Sequence, residues 1–248
     1  MTAADITGTR GAEMFARYAH APNQLGYCGP RDSRLLDGGR DDIEKAARQF
    51  TGAWPYLQVM SRMSGIADPL DHRLVDSYWL GGGLGDGMDP EAFTAELLAI
   101  ISPQAGHYWS HLGADLAAEA APDHCFHVFA VYPWSRLLGR GADEHPLLVL
   151  DSCRISWGTV VSVDDATAVV RGRRLLWDGA AFSLSEPQIR HVDTSAGARR
   201  GVVVAAGDRV ALHWDQVCDV LDADQVARLQ RSTDRQLRAT TRRLQASS

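Results

Sequence analysis

Lysine is almost absent from this chain. Of its 25 basic residues only Lys45 is a lysine, and the rest are arginines. That imbalance points to genomic base composition rather than to a particular chemistry, although guanidinium groups suit phosphate wherever they cluster. Cysteine is sparse too. Cys28, Cys125, Cys153 and Cys218 stand far apart, and the lack of any C-x-x-C pair excludes a thioredoxin-like redox motif or a zinc knuckle. No window approaches the 18 or so consecutive apolar residues that a membrane helix needs. The first residues lack the basic flank and apolar stretch of a secretory signal. Together these absences predict reduced thiols in a cytoplasmic protein without a membrane partner. An excess of positive charge is also missing: the formal net charge is −6, which argues against bulk nucleic-acid binding.

What is present fits an ordinary globular protein. The 248 residues, 45% hydrophobic and 23% charged, suffice for one large domain or two small ones. Residues 1 to about 20 have Met14, Phe15 and Tyr18 at helical spacing. Ile43, Ala47, Phe50, Trp54 and Leu57 continue that period from an acidic start at Asp41-Asp42, with Pro55 as a kink or a second start. A short helix over 70–80 ends at Gly81-Gly82-Gly83. The glycine-rich stretch 80–87 follows no strand and lacks a Lys-Ser/Thr ending, so it reads as a connection or lid rather than a phosphate loop. Asp89 and Pro90 open another helix. From about residue 124 the pattern turns to short apolar runs. Residues 127–132, 147–151, 155–163, 168–171, 175–177 and 209–214 read as strands, and a polar, Arg-rich helix closes the chain from Ala223. Helices first and strands afterwards predict an α+β fold.

The candidate site starts at Asn23-Gln24-Leu25-Gly26-Tyr27-Cys28-Gly29-Pro30. Gly26 and Gly29 allow a tight turn around the thiol. A helix opening beyond Pro30 would place Cys28 near an N-terminus, where the dipole favours thiolate. Asn23 or Gln24 would donate to an oxyanion, and Tyr27 would contact substrate. Downstream, His127 opens one expected strand and Asp151 closes the next. A thiol needs an imidazole to take its proton, and that imidazole needs an acceptor on its other nitrogen. Cys28, His127 and Asp151 supply the three types in order, with Glu144 and Asp123 as alternative acids and His124 as an alternative base. His107 and His111, with His124, Cys125 and His127 nearby, offer a metal reading. No H-E-x-x-H is present, and packing explains the helix around Tyr108-Trp109, so no metal is expected.

The order Cys28, His127-Val128-Phe129-Ala130-Val131 and Leu148-Val149-Leu150-Asp151-Ser152 resembles the papain-like cysteine peptidases over residues 14 to 152. This resemblance implies N-terminal helices followed by an antiparallel sheet. The familiar Trp after the nucleophile is absent, and the family's oxyanion Gln lies further upstream than Gln24. From Cys153 the chain resembles hydrogenase-maturation chaperones of the HypC type. It carries Cys153-Arg-Ile-Ser-Trp-Gly158-Thr-Val160, then Gly207-Asp208-Arg209-Val210-Ala211-Leu212-His213, and ends in a helix. In those chaperones the cysteine is the mature N-terminus, whereas Cys153 is internal, so a buried structural thiol is expected here. The implied organisation is a papain-like catalytic region over 1–152 and a small β-barrel with a C-terminal helix over 153–248.

The Asn-x-Leu-Gly-Tyr-Cys-Gly-Pro and Phe-His-Val-Phe-Ala-Val-Tyr-Pro-Trp strings also resemble the actinobacterial condensing enzymes of lincosamide antibiotic biosynthesis. That resemblance implies an acyltransferase. Cys28 would take an aminoacyl group from the phosphopantetheine thioester of an acyl or peptidyl carrier protein and pass it to an amino sugar, with no further cofactor. Arginines at 171, 173, 174, 199, 200, 235, 238, 242 and 243 would offer an acidic carrier a surface. A peptidase or amidase would use the same triad with water as acceptor. A non-enzymatic hydrogenase-maturation accessory protein would depend on Cys153 instead of Cys28.

Overall fold

The computed structural model describes residues 3–31, 33–104 and 111–246. The apolar spacing of the first segment produces α1 (Ala3–Gln24), and Met14, Phe15, Tyr18 and Ala19 are completely or almost completely buried. The long helix expected from residue 41 divides in two. Helix α2 (Arg40–Ala47) has Asp41 and Asp42 in its first turn, and α3 (Trp54–Ser64) restarts with Pro55, where a missing N–H costs nothing. Helix α4 (His72–Leu80) is capped by Asp71, which accepts from the Arg73 N–H. Asp89 accepts from the Ala92 N–H to cap α5 (Pro90–Ile101).

Two expected strands are helical instead. Asp123 accepts from the Phe126 N–H at 2.8 Å and starts α6 (His124–Phe126). This helix runs directly into a single π-turn, His127–Val131, closed by the Tyr132 N–H on the His127 carbonyl at 2.9 Å. The second is α7 (Glu144–Cys153). Residues 124–131 are buried on every side, and an apolar run without a polar face carries no period to tell helix from strand. Among the described residues the first strand begins at Ser156. The sheet that the papain-like order implied for His127 and Asp151 is therefore not formed by those segments.

The strands that follow are β1 (Ser156–Asp164), β2 (Thr167–Gly172), β3 (Leu175–Trp177), β4 (Phe182–Leu184) and β5 (Gln188–Asp193). After the short α8 (Ser195–Arg199) come β6 (Arg209–His213) and β7 (Gln216–Val220), and α9 (Ala223–Ala246) ends the described chain. The sheet closes as a barrel in the order β1-β2-β5-β7-β6, while β3 and β4 form a separate hairpin. Alternating residues fill the barrel, with Val160, Val170, Val192, Val210 and Leu212 at its centre. The fold is thus α+β, helices before strands.

The barrel and the helices share packing. Ala211, Cys218 and Leu221 join one apolar core with residues of α1 to α5. The Arg17 guanidinium of α1 donates to the Cys218 carbonyl at 2.9 Å and pairs with Asp219 on β7. A second core sets Phe129, Leu150, Phe182 and Leu237 together, joining the π-turn, α7, the hairpin and α9.

The approach of α1 to the segment before α4 is tighter than any side chain permits. A Cβ on Gly11 would lie 1.8 Å from the Leu70 carbonyl oxygen. Gly11→Ala should therefore destabilise the protein by about 2–3 kcal/mol through displaced backbone, read as a lowered urea midpoint with an unchanged m-value.

Candidate functional site

Cys28, His124, His127, Cys153 and His213 all line one cavity of about 240 Å³, walled by Tyr78, Trp79 and other aromatic side chains. Five elements deliver them. Cys28 stands on the loop after α1, where Gly26 and Gly29 adopt φ of 78° and 80°. His124 opens α6, His127 opens the π-turn, Cys153 ends α7 and His213 ends β6. Single π-turns recur at functional sites because they re-aim side chains within a helix.

Within the cavity His124, Cys153 and His213 form the tightest group. One ligand atom from each lies within 4.8 Å of the others, and all three residues are buried. Both imidazoles are fixed by backbone carbonyls. His213 Nδ1 donates to the Tyr18 carbonyl at 2.7 Å, which leaves Nε2 as a lone pair, and that atom is buried with no partner. His124 Nε2 donates to the Cys153 carbonyl at 2.9 Å, so its Nδ1 carries the lone pair and accepts from the Tyr78 hydroxyl at 3.2 Å. Burial lowers the pKa of His213 to about 4 and holds that of His124 well below the usual imidazole range. Both rings are neutral near pH 7. Burial, reinforced by the nearby Cys28 sulfur, pushes the Cys153 thiol upward, against a weaker opposing effect of the Trp214 indole.

The turn after His213 is strained. Trp214 and Asp215 connect β6 to β7 with φ of 53° and 56°, the left-handed pair that a two-residue hairpin requires. Glycine and asparagine usually occupy such positions, and an indole there costs on the order of 1 kcal/mol. The turn is held by the Trp214 N–H on the Ser152 carbonyl at 2.9 Å, by the Tyr27 ring 4.1 Å from the indole, and by Arg190 on Asp215.

The expected triad is only partly assembled. Cys28 and His127 line the same cavity, but no hydrogen bond joins them, and His127 Nδ1 is buried without a partner. Asp151 is committed elsewhere. One of its oxygens accepts from Arg154 at 2.8 and 3.0 Å and from the Leu175 N–H at 2.8 Å, and the other accepts from Arg174 at 3.2 Å. Its carboxylate therefore orients no imidazole. Asp123 caps α6 and accepts from Ser232, while Glu144 is exposed in the first turn of α7. Among the described residues after Pro30 no helix opens before Arg40, and burial pushes the Cys28 thiol up to about 12 instead of lowering it.

One of the proposed oxyanion donors is engaged: Asn23 Nδ2 donates to the Cys28 and Pro30 carbonyls at 2.9 and 2.8 Å, clamping the loop. Gln24 is exposed, its Oε1 accepts from Gln216 Nε2 at 3.4 Å, and it does not line the cavity. Tyr27 does line the cavity. Of the earlier metal candidates, His107 lies outside the described residues, His111 bonds to the Val131 carbonyl, and Cys125 packs in the second core. Sequence reasoning passed over His213 as a site residue, although Gly207-Asp208 and the following strand already marked its position.

Two outcomes follow. Asp151→Asn leaves the Arg154 guanidinium, only 1% exposed, without its counter-charge. It should lower stability by about 3 kcal/mol, measured by urea unfolding. The three neutral imidazoles, with His127 lowered by burial to about 3, take up protons more readily once unfolded. Stability should thus fall as pH drops from about 6.5 towards 4, and His127→Phe should flatten that slope in unfolding curves measured across this range.

No curated protein and no solved structure matches the chain. Residues 7–247 match a family of unknown function, DUF6390, and over that span the chain belongs to this family.

Proposed function

We propose that this protein handles a soft transition metal, held by His124, Cys153 and His213, in the manner of the hydrogenase-maturation chaperones that its second half resembles. The observation carrying this reading is the convergence of the Cys153 thiol and one ring nitrogen each of His124 and His213 within 4.8 Å. Thiolate and imidazole together suit zinc, iron, nickel or copper rather than magnesium or calcium. The carbonyls of Tyr18 and Cys153 act as the outer partners that set ring tautomers in metal sites. Binding would release the Cys153 proton and free His124 Nδ1 from the Tyr78 hydroxyl. Three protein ligands, rather than the four of a sealed structural site, would suit a cargo passed onward. The internal position of Cys153 removes the N-terminal amine that the HypC type presents, and His124 supplies a replacement nitrogen.

Cobalt(II) added to metal-free protein should give a thiolate-to-metal absorption band. Cys153→Ala should abolish that band and weaken binding by at least about a hundredfold, while Cys28→Ala should retain both. Equal cobalt binding by Cys153→Ala and the wild type would overturn the assignment.

A second reading keeps Cys28 as an acyl acceptor, favoured by its sharing an apolar cavity with His127. The Cys28 thiolate would attack the carrier's thioester carbonyl and expel the pantetheine thiolate. An amine would then displace Cys28, losing its proton to His127. The aromatic walls would keep water from the acyl-enzyme. This reading expects a covalent acyl adduct on Cys28 by mass spectrometry, lost in Cys28→Ala and kept in Cys153→Ala. Release of free acid regardless of added amine would identify a hydrolase.

A further inference from the structure

Away from the thiol and imidazole cavity, a second hollow of about 720 Å³ opens between the 136–140 segment, the β3–β4 turn and the end of α9. Its charge is one-sided. Arg136, Arg140 and Arg243 line it, and no carboxylate is among the described lining residues. Three carboxylates stand close by, each bound elsewhere: the buried Glu119 takes the Arg243 Nε at 2.6 Å and accepts from Gln236 and Thr240, Asp143 accepts from the Gly139 N–H, and Asp178 accepts from the Ala180 and Ala181 N–H groups. Among the described residues none of them forms an ion pair with Arg136 or Arg140.

Arg136 has no strong partner among the described residues. Its one hydrogen bond is a long contact to the Ala130 carbonyl at 3.4 Å, and its Nε is buried with no acceptor. Burial and the neighbouring Arg243 charge lower its pKa to about 10, with Glu119 offsetting part of the effect. Trp177, on the opposite wall, also has a buried indole N–H without an acceptor. Buried donors left unpaired cost about 1–3 kcal/mol each, so an acceptor-rich partner is the missing element. Apolar surface from Leu138, Trp177 and Leu244 flanks the arginines.

We propose that this hollow is a binding site for a phosphate group, with Arg136 and Arg140 as its principal contacts and Trp177 and Leu244 as the wall for an organic substituent. Guanidinium forks match phosphate oxygens in pairs, and a dianion would supply acceptors to Arg136 and Arg140, which no carboxylate among the described residues pairs with. The proposal is independent of what the thiol and imidazole cavity does, since it shares no lining residue with it.

Titration calorimetry on the full chain, with inorganic phosphate and with phenyl phosphate as probes, tests this. Saturable binding is expected for both, weakened about tenfold by Arg136→Met and several-fold by Arg140→Ala. Arg140 is exposed, so that variant reports on binding even if Arg136→Met folds poorly. Tighter binding of phenyl phosphate would support a phosphate ester as occupant, and equal affinity would support free phosphate at the same arginines. No saturable binding by the wild type, or binding unchanged in both variants, would overturn the site.

Discussion

The buried carboxylate of Asp151 ties the end of α7 to Arg154 just beyond it and, through Arg174 and the Leu175 N–H, to the start of the β3–β4 hairpin, and the cavity depends on where that helix stops. A helix ends with carbonyls that have no partner within it. Here two of them are taken by groups around the cavity. The Ser152 carbonyl receives the Trp214 N–H and so anchors the strained turn behind His213. The Cys153 carbonyl receives His124 Nε2 and sets its tautomer. Three consecutive residues thus connect α7 to β3, to the β6–β7 turn and to α6, and the thiol of the third points into the group of imidazoles.

The electrostatics of the cavity follow from this construction. Its imidazoles are neutral and its thiols are held protonated by burial. A Cys-His triad requires an acceptor on the imidazole's other nitrogen, and the Asp151 carboxylate expected in that role is spent on arginines. A metal ion reverses that logic, because it brings the charge itself and displaces the thiol proton. The same low-polarity wall that hinders a free thiolate would strengthen bonds between neutral imidazoles, a thiolate and a cation.

Several elements were legible before any coordinates. Asp89-Pro90, the glycine turn at 26–29 and the apolar period of α1 each have a local cause, and each appears where local chemistry places it. The helical identity of residues 124–131 and 144–153 was not read, although Asp123 as a cap and Asp143-Glu144 with Pro146 were starting signals. The apolar runs behind those signals outweighed them, since a segment buried all round has no polar face. Strands β4, β5 and β7 leave little trace in the sequence because runs of three to six residues offer too few positions for an alternating pattern to stand out.

The sequence by itself determined the α+β order, the boundaries of the locally capped helices and the glycine turn around Cys28. Only the tertiary structure decided which side chains meet. It gave Asp151 to a guanidinium and set Cys153 beside His213, some 60 positions along the chain. It also left Cys28 in the same cavity without a hydrogen-bonded base. Capping and turn formation are settled among neighbours in the chain, whereas the partner of a buried carboxylate or thiol is settled by which distant elements must pack to hide their apolar faces.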